Sequence, residues 1–356
     1  MRLERIVPGR RPPDALDGAV LTRDLVVGGV RWVKGRRLTI ADLDALGSDS
    51  LPVADPVTVL VLEPGDTHED SAALELADAA AGAGVSVRGP IQSRVDLLAS
   101  VDGVLHVRTA DLRRVNRVDP LEVFTAFDGS IVEAGQLVAS VKIAPHVVEA
   151  RLVDPVLDRL RRLPGRLIRV AEFRPMRVAA VVKESLRAAD RDRFERSVRN
   201  KVEGLGSTLT GITYVADDDA AVTEALAWAA KGATARGGAA AAADIILTAG
   251  GRSTDPLDPF YVAIERLGGA VVRHGVPAHP GSMLWLARIG RTAVLGLPTC
   301  GAYSKATAAD LVLPRLLTGE RPGPGLVAGL GHGGLLTRDQ RFRFPRYARE
   351  LDAPDG

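Results

Sequence analysis

The chain contains one cysteine, Cys300, in 356 residues. A single thiol excludes an intramolecular disulfide framework, a cysteine-based zinc knuckle and a cysteine-ligated iron–sulfur cluster. Aromatic residues are scarce, at 4%, and lysine is scarcer: of the 46 cationic side chains only Lys34, Lys142, Lys183, Lys201, Lys231 and Lys305 are lysines. Against 44 acidic residues the formal charge is +2, which excludes recruitment of nucleic acid or of an anionic membrane by overall charge. Long apolar runs are missing as well. The most apolar stretch, Ala220–Leu247, is interrupted by Glu224, Lys231, Arg236 and Asp244, too often for a bilayer span. Residues 1–13 carry charge and proline without an apolar segment, so no secretory signal is expected there. A cytoplasmic protein is the expectation.

At 100–200 residues per domain, roughly, two or three domains are expected, and the chain changes character near residue 172. Before it, short β-rich runs such as Val57–Leu62, Gly103–Val107 and Gln136–Ile143 alternate with turn signals. Helices are expected from Glu69 to about Ala81 and over 151–163. The reading is a mixed α+β, β-rich region over 1–172, in two subdomains.

From Arg174 onward, strands and helices alternate. Strands are expected at Arg177–Val182, Leu209–Val215, Asp244–Thr248, Ala270–Arg273 and Thr292–Leu297. Helices are expected at Arg191–Leu205, Ala220–Ala233, Pro259–Leu267 and near Ala306–Leu317. Strands separated by helices of that length predict an α/β fold, a doubly wound and mostly parallel sheet over 173–320. Its ligand site should lie beyond the carboxyl ends of the strands. Residues 321–356, rich in Pro, Gly and Arg, read as a tail.

The segment Thr248–Asp258 (TAGGRSTDPLD) carries the most chemistry. A buried strand runs into Gly250 and Gly251, which lets backbone N–H groups face an anion; Ser253 and Thr254 add hydroxyls, and a helix begins at Pro259. The pattern suits a phosphate. Asp255 and Asp258 would repel it unless a cation bridges them, so Mg²⁺ or a positioning role is expected for the two carboxylates. The same residues also fit a tight strand–helix turn in which Asp258 caps the helix.

Two further loops should reach the same crevice. They are Pro280-Gly281-Ser282-Met283 and the run from Gly296 through Pro298 and Cys300 to Ser304. Each alone also reads as a turn. Gly329–Gly334 matches G-x-G-x-x-G, but no strand precedes it, so it does not read as a dinucleotide site. His68-Glu69-Asp70 reads as a helix start, and His274 and His279 lack partners at metal-ligand spacing.

These loops resemble the domain shared by the MogA, MoaB and MoeA proteins of molybdenum-cofactor biosynthesis. The resemblance rests on Asp244–Gly251 (DIILTAGG), Ser253, Asp258, Leu267–Ala270, His274-Gly275, Pro280-Gly281 and Gly296-Leu297-Pro298. The finer resemblance is to stand-alone MoeA-like molybdopterin-binding proteins. It is carried by G-G-x-S-x-D-P-x-D at Gly250–Asp258, by Gly301–Glu320, by Gly331–Leu335, and upstream by Lys34-Gly35, His68-Glu69-Asp70 and Asn116.

The resemblance implies a MogA/MoaB-like sheet whose glycine–serine loop binds the phosphate of molybdopterin or of its adenylylated form. On that reading Thr248, Gly250, Gly251, Ser253, Thr254, Pro280, Gly281, Ser282, Met283, Gly296, Pro298 and Ser304 hold the ligand. Asp255 and Asp258 act in catalysis or on a metal. If the protein turns over, it is a transferase of the molybdopterin adenylyltransferase or molybdotransferase type. The alternative is a carrier or scaffold that docks a molybdoenzyme or another cofactor-biosynthesis protein. A homo-oligomer is implied. The chain departs from the family where T-G-[DN]-E is replaced by Val182-Lys183-Glu184-Ser185, and where P-G-N-P is replaced by Pro298-Thr299-Cys300-Gly301. The anion-binding part of the pattern is kept better than the catalytic part, which favours binding over full MoeA activity.

Overall fold

Strand β1 (Arg177–Val182) buries Val178, Ala180 and Val182 in one apolar layer and Val181 in another. A strand apolar on both sides belongs inside a sheet covered on both faces. The structure is a computed structural model and describes residues 1–48, 55–91, 93–183, 188–232, 241–297 and 306–350. Its contacts divide the chain into two compact units, one formed by most of residues 1–170 and the other mainly by residues from Ala171 onward.

In the second unit β1 is followed by α1 (Ala188–Glu203), β2 (Thr208–Tyr214), α2 (Asp219–Lys231) and β3 (Ile245–Ala249). Then come α3 (Pro259–Arg266), β4 (Ala270–His274), β5 (Trp285–Ile289), β6 (Thr292–Gly296) and α4 (Ala309–Leu317). The sheet order is β2-β1-β3-β6-β5-β4. The pairs β2/β1, β1/β3 and β3/β6 are parallel, while β6/β5 and β5/β4 are antiparallel. Ile245, Leu247 and Ala249 of β3 join Phe194 and Val198 of α1 and Leu311 and Val312 of α4 on one face. Ile246 of β3 joins Val222 and Leu226 of α2 and Phe260 and Ile264 of α3 on the other. The expected doubly wound architecture is present, with both faces covered.

Strand β5 is the element missing from the periodicity. Trp285, Leu286, Ala287 and Ile289 are all buried, so no polar alternation marks the run. It pairs antiparallel with β6, Ile289 opposite Thr292. After Gly319, where a tail is expected, the chain builds helical turns at Pro324–Val327, Ala328–Gly331 and Arg338–Arg343. Leu326, Val327, Leu330, Phe344 and Ala348 join the α1/α4 face of the core. Apolar residues spaced along a proline- and glycine-rich stretch supplied enough burial to hold it.

The first unit contains an antiparallel sheet in the order Leu121–Thr125, Leu137–Ile143, Arg94–Ala99, Val85–Ile91. Another three-stranded antiparallel sheet places Val57–Val61 between Arg2–Ile6 and Val20–Leu21. The helices expected near 69–81 and 151–163 form at Glu69–Ala80 and Ala150–Arg162. Among the described residues no helix is long and apolar enough to cross a membrane.

Candidate functional site

Strand direction decides what meets at one end of the sheet. β1, β2, β3 and β6 run parallel, so Lys183 after β1, Val215–Asp217 after β2 and the loop after β3 share an edge with the end of β6. β5 is antiparallel to β6 and pairs Trp285 with Gly296, so the Pro280–Leu284 segment entering β5 lies at that same edge. So does His274 at the end of β4, opposite Trp285.

Gly250 leaves β3 with φ at +85°, a left-handed conformation that costs an L-residue with a side chain about 1–2 kcal/mol. Two reverse turns then fold the loop, closed by Asp255 N–H to Arg252 C=O at 2.9 Å and Asp258 N–H to Asp255 C=O at 3.1 Å. Thr248 is buried and its carbonyl accepts from Leu297 N–H at 2.8 Å. Gly250, Gly251 and Ser253 are half-buried and Thr254 is exposed. Tyr261 ties the loop from α3, its hydroxyl donating to the Ser253 carbonyl at 3.0 Å. Burial, with the Asp258 charge adding to it, pushes the Tyr261 hydroxyl up to about 12. The Tyr261 ring packs edge-on against Trp285 and His274.

Asp258 caps α3, with Oδ1 accepting from Phe260 N–H at 2.9 Å. Its Oδ2 accepts from Arg252 N–H at 2.6 Å and from Lys183 Nζ at 2.8 Å. The expectation paired Asp258 with Asp255 in catalysis or around a metal. The fold instead buries Asp258 to 1% exposure among these three donors, while half-exposed Asp255 turns its Oδ1 to Leu257 N–H at 2.9 Å. Lys183 also reaches Asp217 Oδ1 at 2.7 Å. That hydrogen bond, more than any other cause, holds the Asp217 carboxyl below the usual carboxylate range. Among the described residues no group of three or more His, Cys, Asp or Glu side chains could hold a metal ion.

Two residues that sequence reasoning left unassigned therefore shape the site. Lys183 entered it only as a departure from a family pattern. Arg252, its side chain 60% exposed, contacts Asp217 at 3.6 Å and Asp255 at 3.7 Å, both longer than hydrogen bonds. It is the exposed positive charge of the loop, and its place between Gly251 and Ser253 is the signal that could have found it.

In the Pro280–Met283 segment, the Ser282 carbonyl accepts from Val276 N–H at 3.0 Å and the Pro280 carbonyl from Ala308 N–H at 2.9 Å. Gly281 is buried, Pro280 and Ser282 are half-buried, and Met283 is 46% exposed. Gly296 lies against the Trp285 indole so closely that a Cβ would come within 2.0 Å of Cε2. Pro298, Cys300 and Ser304 lie outside the described residues, as do Glu184 and Ser185.

In the first unit, His68 caps the Glu69–Ala80 helix through Asp70 N–H, as the helix-start reading expects, and its Nε2 meets Gly35 C=O at 2.9 Å. Glu69 is buried and meets His146 Nδ1 at 2.7 Å. Asn116 exchanges two hydrogen bonds with the Val123 backbone, at 2.7 and 2.8 Å. Of the glycines at 329–334, Gly334 offers its carbonyl to His279 N–H at 2.7 Å.

Comparison with known proteins finds similarity over part of the chain. No curated protein matches the chain. Among solved structures, the chain is similar to the molybdopterin biosynthesis MoeA protein of Pyrococcus horikosii, at 15% identity, over 74% of this chain and 80% of that one, with a TM-score of 0.30. It is also similar to the molybdopterin biosynthesis enzyme MoaB of Thermus thermophilus, at 21% identity, over 41% of this chain and 98% of that one, with a TM-score of 0.29. Residues 178–318, which run from β1 through α4, match the family described as probable molybdopterin binding domain. That match spans 141 of the 356 residues and makes this segment similar to that family.

Proposed function

We propose that the protein binds molybdopterin, or its adenylylated form, as a step in molybdenum-cofactor biosynthesis or delivery. The observation that carries this reading is the family match of residues 178–318 together with a glycine–serine loop at the carboxyl end of β3. The terminal phosphate of the ligand lies against Gly250, Gly251, Ser253 and Thr254, with the Arg252 guanidinium supplying charge. Backbone N–H groups and an exposed arginine suit a phosphate dianion. Pro280–Met283 and the end of β6 at Gly296 wall the pterin.

Asp258 and Asp255 act here as positioning residues for the loop. Asp258 lends its oxygens to the backbone of Arg252 and Phe260, which fixes the path of the segment that carries Ser253 and Thr254.

Equilibrium binding of molybdopterin against ATP to the full chain tests the reading. Selective molybdopterin binding is expected, and equal weak affinity for both overturns it. A second reading is a non-catalytic carrier that passes the cofactor to a molybdoenzyme, and the ion pair of Asp258 with Lys183 favours it. A single-turnover assay with adenylylated molybdopterin, molybdate and Mg²⁺ tests it, because molybdate insertion releases AMP, whereas a carrier retains the pterin and releases none.

A further inference from the structure

Lys183 ends at a place where the acidic residues of the sequence call for a cation. Its side chain is fully buried, and Nζ sits 2.8 Å from Asp258 Oδ2 and 2.7 Å from Asp217 Oδ1. The Phe260 ring lies 5.5 Å from the same ammonium. Asp258 is as deeply buried as the lysine, and its other hydrogen bonds come from the N–H groups of Arg252 and Phe260. The second oxygen of Asp217 faces the Arg252 guanidinium at 3.6 Å.

Mg²⁺ does not fit this arrangement. It demands a near-octahedral shell of oxygens at about 2.0–2.1 Å. The Asp258 oxygens already accept from three donors, and a divalent ion on either carboxylate would stand a few ångströms from a buried ammonium, where like charges repel strongly. Asp258 is paired from within the protein, and Asp217 shares the same ammonium and faces Arg252.

We propose that Lys183 is a built-in replacement for the divalent cation at this site, so that the loop takes a phosphate-bearing ligand without Mg²⁺. The inference rests on the reading of Gly250–Thr254 as the phosphate site. Pairing Asp258 with Lys183 removes one of the two charges that would repel the phosphate, Asp255 faces Arg252 at 3.7 Å, and Arg252 and the loop amides remain to receive the ligand. It also sets a preference. A metal-chelated triphosphate needs carboxylate oxygens for its metal, whereas a terminal phosphomonoester needs only hydrogen-bond donors. The site therefore selects a metal-free phosphate group over a magnesium–nucleotide complex.

The test uses Mn²⁺ alone, with no pterin, followed by electron paramagnetic resonance. Wild-type protein is expected to show no saturable Mn²⁺ site that depends on Asp258. Lys183→Ala and Lys183→Met should each gain one, with Mn²⁺ bound at least about tenfold tighter than by wild type. Adding Asp258→Asn to either variant should abolish it. A wild-type Mn²⁺ site lost in Asp258→Asn overturns the proposal, and so do folded Lys183 variants that gain no Mn²⁺ binding.

Should the variants fail to fold, wild-type affinity for molybdopterin in EDTA and in excess Mg²⁺ decides the matter. Affinities that agree support the proposal, and tenfold tightening by Mg²⁺ overturns it. Absence of molybdopterin binding in both conditions defeats the functional reading, while an Asp258-dependent Mn²⁺ site in wild type, or its absence, judges the lysine separately.

Discussion

The ammonium of Lys183 lies 2.8 Å from Oδ2 of Asp258, and neither side chain is open to solvent. The two residues are 75 positions apart in sequence, so the pair joins the end of β1 to the start of α3. Removing one member of a buried pair leaves the other charge uncompensated, which costs about 3–5 kcal/mol. Asp258→Ala also removes the cap of α3, worth about 1 kcal/mol. Urea unfolding should show Asp258→Ala as strongly destabilised. The double variant Lys183→Met/Asp258→Asn should recover a large part of the loss, since no buried charge remains.

Arg252 carries the exposed charge of the loop, and its nearest carboxylates lie at 3.6 and 3.7 Å. Arg252→Ala should therefore weaken molybdopterin binding by about tenfold, the worth of one charge-assisted hydrogen bond. Thermal stability should change little, because exposed ion pairs contribute little to folding. Isothermal titration and a melting curve on the same preparation check both halves.

Tyr261 holds the loop through the Ser253 carbonyl, and its hydroxyl titrates at about 12 instead of 10. Burial is the main cause, with the Asp258 charge adding to it. A raised folded-state value means the folded protein keeps a proton that the unfolded chain loses, so the stabilisation is complete below pH 10 and disappears as pH rises towards 12. Tyr261→Phe should flatten that alkaline loss in a series of urea titrations between the two values. It should also weaken ligand binding at neutral pH, because the carbonyl of Ser253 loses its donor.

Gly296 is required by the Trp285 indole, which leaves no room for a Cβ. Gly296→Ala forces the ring or the β5/β6 pairing to move, an overpacking cost of about 1–3 kcal/mol or more. Only three tryptophans are present, so a shift in intrinsic fluorescence on this substitution reports the displacement of Trp285 directly.

A second buried pair, Lys201 of α1 with Asp310 of α4, ties the helices on the opposite face from α3. Asp310 also accepts from Thr307 N–H at 2.9 Å and from the Tyr347 hydroxyl at 3.1 Å. Asp310→Ala strands Lys201 and should cost about 3–5 kcal/mol by chemical denaturation. Tyr347→Phe removes one hydrogen bond and should cost about 1 kcal/mol.

Local patterning determined a good deal without help. The alternation of strands and helices after residue 172, the helix that begins at Glu69 and the strand–glycine–glycine–helix sequence at Ile245–Pro259 were all legible. In each, apolar period, turn residues and capping residues sit within one element or its neighbour. The pattern over Asp244–Asp258 was legible for the same reason, as it occupies one contiguous strand and the loop after it. Strand β5 was not, because an element buried on both faces has no polar alternation to mark it.

Tertiary structure alone decided the chemistry of the two aspartates. The sequence presents Asp255 and Asp258 as near neighbours with a vacancy for a cation between them. Folding brings Lys183 to Asp258 from the end of a neighbouring strand, turns Asp255 to its own backbone and adds Asp217 from the end of β2. Such a contact depends on which strands lie side by side and in which direction, and β1 pairs with both β2 and β3. No local period or motif encodes that adjacency. It is the parallel register of the sheet that brings a lysine onto one of the two carboxylates of an acidic loop.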